Sequence, residues 1–83
     1  MPSLFRVGNF RLVIFPNDHE PPHAHAIGPD WDIKIALGNG KEIKPRLLEI
    51  KFGNPKQQDL RKSLLVVDRH SSQLWSTWRE LHG

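Results

Sequence analysis

The 83-residue chain contains no cysteine. Disulfide staples, Cys-based zinc ribbons and thiol catalysis are therefore excluded, and a reducing compartment suits it. No stretch approaches the ~18–20 apolar residues that a membrane span needs. The N-terminal MPSLFRVGNF also lacks a long apolar leader, so a cytoplasmic chain without membrane contact is expected. Internal repeats, low-complexity tracts and linkers are missing too. Gly38-Asn39-Gly40 reads as a turn rather than a nucleotide fingerprint. The serines at 3, 63, 71, 72 and 76 have no nucleophile-elbow context. A helix-turn-helix signature is likewise absent.

What remains is enough for one small domain. Hydrophobic residues make up 37% of the chain beside six glycines, a little below the usual globular share of about 45–50%. A single domain over residues 1–83 is expected, mainly β over 1–53 and helical over 54–83. Twelve Lys+Arg against nine Asp+Glu give a net charge of +3, a mild bias toward polyanions.

Leu4–Val7 and Phe10–Phe15 flank Gly8-Asn9, a tight-hairpin signal. Phe10, Leu12 and Ile14 would share one face, and Arg11, Val13 and Phe15 the other. Pro16–Pro22 is a loop with three prolines. His23–Ile27 is extended. After the Gly28-Pro29-Asp30 turn, Trp31, Ile33, Ile35 and Leu37 alternate with Asp32, Lys34 and Ala36, as in a half-buried strand. Glu42–Lys44 looks extended, and Leu47–Phe52 reads as strand or loop. Asn54 and Pro55 are expected to open a helix. Leu60, Leu64, Val67, Ser71, Leu74, Trp78 and Leu81 then recur at helical spacing, with a kink or break expected at His70–Ser72. The fold class is thus α+β: a small antiparallel sheet of three to five strands against a C-terminal helix or kinked helix pair.

Chemistry concentrates in Asn17-Asp18-His19-Glu20-Pro21-Pro22-His23-Ala24-His25. On a strand His23 and His25 point the same way. They can serve as acid and base, or as ligands to a divalent metal with a nearby carboxylate. Asp18 and His19 are candidates to orient them. The plain alternative is that both rings hydrogen-bond to the proline-rich loop and fix its shape. Arg6, Arg11, Lys34 and Lys44 are expected on the polar sheet face, where Arg6, Arg11 and Lys34 would bind nucleic acid. An ordinary solvated face remains the other reading.

Met1-Pro2, the Phe5-Arg6 pair, the second strand, the N-D-H-x-P-P-H-x-H string at 17–25 and the Leu74-to-Trp78 ending resemble a small prokaryotic family known as domain of unknown function 4160. That resemblance implies a compact α+β domain with an antiparallel sheet and a C-terminal helix. It also implies a two-gene setting similar to toxin–antitoxin pairs, since members are often encoded beside another small protein. The expectation is an effector that acts on RNA through His23, His25, Asp18 and His19, or a non-catalytic module that docks a partner. Expected partners are a small cognate protein of the same operon, RNA or DNA, and a second copy of the chain. Residues 41–56 match no recognisable pattern.

Overall fold

A computed structural model describes residues 3–82 of the chain. Five strands, β1 (Ser3–Val7), β2 (Phe10–Ile14), β3 (His23–Ile27), β4 (Asp32–Ala36) and β5 (Arg46–Phe52), precede two helices, α1 (Gln57–Arg69) and α2 (Ser71–His82). The strands pair in sequence order, each antiparallel to the next, as one five-stranded meander. The fold is α+β.

Alternation decides which face meets the helices. Phe10, Leu12 and Ile14 of β2, Ala24 and Ala26 of β3, and Ile33 and Ile35 of β4 are all buried in one cluster with Val66, Val67, Leu74 and Trp78 of the helices. The two alanines leave room for the larger side chains opposite. Trp31 and Leu37, at the ends of the β4 pattern, join the same core. Trp75 lies at its margin, donates its indole N–H to the Gly38 carbonyl and has the Arg79 guanidinium 5.9 Å above its ring.

The helical segment breaks at His70, whose φ of −105° and ψ of 22° end α1. Ser71 does not cap the second helix. Its hydroxyl turns back and donates to the Val67 and Asp68 carbonyl oxygens of α1 at 3.3 and 2.8 Å. The first helix also starts later than Asn54-Pro55 suggests. Lys56 is the N-cap, because its backbone N–H finds Asp59 Oδ2 three residues on, at 2.9 Å.

Residues 41–43 are bent rather than extended. Asn39 gathers that loop, accepting from the Lys41 and Ile43 N–H groups at 2.8 and 3.0 Å on Oδ1. Lys44 leaves the sheet altogether and pairs with Asp68 of α1 at 3.4 Å. Among the described residues no helix is long and apolar enough to cross a membrane.

Candidate functional site

The register sets a row of side chains on the face away from the core. Val13 lies opposite His25, His25 opposite Lys34, and Lys34 opposite Glu49. The loop between β2 and β3 returns over this row. Phe15 packs edge-on against the His25 ring, with centroids 4.9 Å apart at 82°. Its backbone N–H donates to Asp18 Oδ2 at 3.2 Å, which turns the Asp18 carboxylate inward. At the far end Pro22 accepts from the Leu37 N–H, so the loop is tied down at both ends.

Asp18, His23 and His25 meet there. His23 and His25 are only 4% and 3% exposed, and their rings lie 5.2 Å apart. Asp18 Oδ2 stands 3.5 Å from His23 Nε2 and 3.4 Å from His25 Nε2. Both rings are oriented from behind. His23 Nδ1–H donates to the Pro21 carbonyl oxygen at 2.8 Å, and His25 Nδ1 lies 3.4 Å from Asp32 Oδ1. The Pro21 carbonyl oxygen can only accept, so His23 donates from Nδ1 and turns Nε2 toward Asp18. His25 lies between two carboxylates, its Nε2 also 3.4 Å from Asp18 Oδ1. His23 Nε2 is buried without a hydrogen-bond partner. Trp78 of α2 backs the cluster, its ring 5.6 Å from that of His23, and His82 stacks on Trp78 at 3.8 Å.

Beside the cluster opens a cleft of about 330 Å³, lined by Asp18, His19, Glu20, His23, Lys34 and Glu49 among others. Asp18 and His23 reach it, whereas His25 lies behind them and does not line it. His19 is exposed at the cleft wall rather than part of the cluster. Lys34 brings its own counter-ion, Glu49, at 3.4 Å.

The family model described as a domain of unknown function, DUF4160, matches residues 9–79. The chain belongs to that family. No curated protein and no solved structure matches it. The DUF4160 match takes in Asp18, His23, His25 and Asp32 but leaves Arg6 outside.

The basic residues expected around the histidines divide in this DUF4160 chain. Lys34 lies in the cleft. Arg6 and Arg11 face each other across β1 and β2 and line a separate depression of about 230 Å³ with Asn9, Ile27 and Pro29. Arg11 pairs with Ile27, two positions along from His25, which is about 7 Å of strand. They share the face of the cluster but not its cleft. Two contributors escaped the sequence reading. Asp32 had been only a polar position of an alternating strand, although its alternation with Lys34 puts it on the His25 face. Trp78 had been only core.

Proposed function

We propose that this chain is the effector component of a small cytoplasmic prokaryotic two-gene module, similar to a toxin–antitoxin pair, and that it acts on RNA at the cleft beside its histidine loop. The observation that carries the reading is the convergence of Asp18, His23 and His25, of which Asp18 and His23 reach the cleft. Such convergence supports a preorganised working site. A phosphodiester lying in the cleft would meet His23 and Asp18 below, with Lys34 and His19 on the walls. Arg6 and Arg11 on the same sheet face extend the basic track. A hydroxyl at the base, either a water or a ribose 2′-OH, would lose its proton to His23 and attack phosphorus, while the P–O5′ bond breaks and the leaving 5′ oxygen takes a proton from solvent.

The test is cleavage of end-labelled single-stranded RNA by the purified protein. Asp18→Asn and His23→Gln should each lower the rate by about 10²–10⁴-fold, while circular dichroism stays at wild type. An Arg6→Gln/Arg11→Gln pair should weaken binding more at low salt than at high salt. Wild-type cleavage by both site variants would refute the reading.

A second reading rests on a different observation. Leu47, Ile50 and Phe52 are exposed along β5, which is an edge strand, with Ile43 and Leu65 exposed as well. Such an edge suits strand addition by the cognate protein of the operon. Ile50→Lys/Phe52→Lys should then abolish co-purification with that protein and leave thermal stability nearly unchanged, as expected of exposed positions. Gel filtration of the chain alone reports whether a second copy takes the same edge.

A further inference from the structure

The atoms around Asp18 are short of positive charge. Two buried imidazoles turn Nε2 toward one carboxylate, that of Asp18, and His25 meets a second, that of Asp32, at Nδ1. Around them the cleft adds Glu20 and Glu49 against the single Lys34 ammonium, which Glu49 already neutralises. Lone pairs and carboxylates converging in this way repel unless a proton or a cation stands between them. Distance separates the two. Charge-assisted N–H···O bonds close to about 2.7–2.9 Å, whereas every carboxylate contact of the two rings, that of Asp32 included, stands at 3.4–3.5 Å. Ligand atoms on a tetrahedral ion with bonds of ~2.1 Å stand ~3.4 Å apart, the edge length of that tetrahedron. The Nε2···Oδ2 separations match that edge.

We propose that Asp18, His23 and His25 bind one divalent first-row transition-metal ion of the zinc or ferrous class. One ligand atom from each lies within 4.8 Å of the others. Two nitrogens and one oxygen, with no cysteine in the chain, are donors such ions accept, and three protein ligands leave positions open toward the cleft. The unpartnered, buried His23 Nε2 is the independent sign that a ligand belongs there. Asp32 and the Pro21 carbonyl are positioning groups. Each holds an Nδ1–H so that Nε2 faces the ion, the arrangement that usually stands behind metal-bound histidines.

This inference rests on the cleft being the working site and deepens that reading. A cleft rich in carboxylates repels a phosphodiester, and a divalent ion reverses the local sign. When bound, it would supply Lewis acidity toward a phosphate oxygen and acidify a water.

The test starts from chelated protein, titrated calorimetrically with Zn²⁺ and optically with Co²⁺. One equivalent of either ion should bind. Asp18→Asn, isosteric with the native side chain, should weaken binding at least tenfold, and His23→Gln likewise. Asp32→Asn should cost about 10–100-fold and alter the Co²⁺ visible spectrum, with Asp32→Glu restoring part of both. His19→Ala should bind as wild type. Failure to bind one equivalent, or wild-type affinity in Asp18→Asn, overturns the proposal, and so does an equal loss in His19→Ala. RNA cleavage by metal-free protein would overturn the ion and leave the RNA reading standing. Stoichiometric binding without cleavage would support the ion and remove the RNA.

Discussion

Trp78→Ala is expected to lower the unfolding free energy by about 3–5 kcal/mol. Trp78 is 4% exposed. It is the point where α2 meets both the core cluster and the back of His23. Its ring is also stacked on by His82 at 3.8 Å. A domain of this size is stable by only about 4–12 kcal/mol, and each kcal/mol moves the midpoint by about 4–8 °C. The thermal midpoint of the variant should therefore fall by tens of degrees. Far-ultraviolet circular dichroism during heating and in urea measures it, and Trp78→Phe should recover most of the loss. A drop under about 5 °C would mean that Trp78 does not anchor the helical layer.

Gly53→Ala should cost about 2–5 kcal/mol through two additive penalties. Its φ is +84°, where a Cβ meets its own backbone. An added Cβ there would also strike the Asp30 carbonyl oxygen and come within 2.7 Å of Trp31 Cα. Both are backbone atoms of the segment entering β4 and cannot swing aside. Gly40→Ala is the matched control. Its φ is +79°, but a Cβ would meet only the Ser71 side chain, no nearer than 3.5 Å, so it should lose about 1–2 kcal/mol. Equal urea midpoints for the two variants would contradict the close approach of residue 53 to residues 30 and 31.

The first four strands were legible because their turns carry Gly, Asn or Pro and their apolar residues alternate without interruption. The break between α1 and α2 was legible from His70–Ser72. β5 was not. Its pairing with β4 shifts register between Asp32 and Ile33 and again between Lys34 and Ile35, and a shifted register erases the two-residue period. The bends at 41–43 depend on the Asn39 side chain, a choice that composition does not announce. At the site, the shared face of His23 and His25 followed from spacing alone, and Asp18 from proximity in the chain. The separation of Arg6 and Arg11 from the cleft did not, because strand pairing fixes only their face and not their distance along it. Asp32 needed the β3–β4 register before it could be seen behind His25.

Asp18, His23, His25 and Asp32 all come from one uninterrupted stretch, residues 18–32. Short loops close at small entropic cost, so the donor set gathers once β2, β3 and β4 pair, before Trp78 of α2 comes to back it. On the ribosome that stretch emerges before α1 and α2. An ion captured by the hairpin would then precede the docking of Trp78, and the helical layer would seal a site already loaded rather than create one.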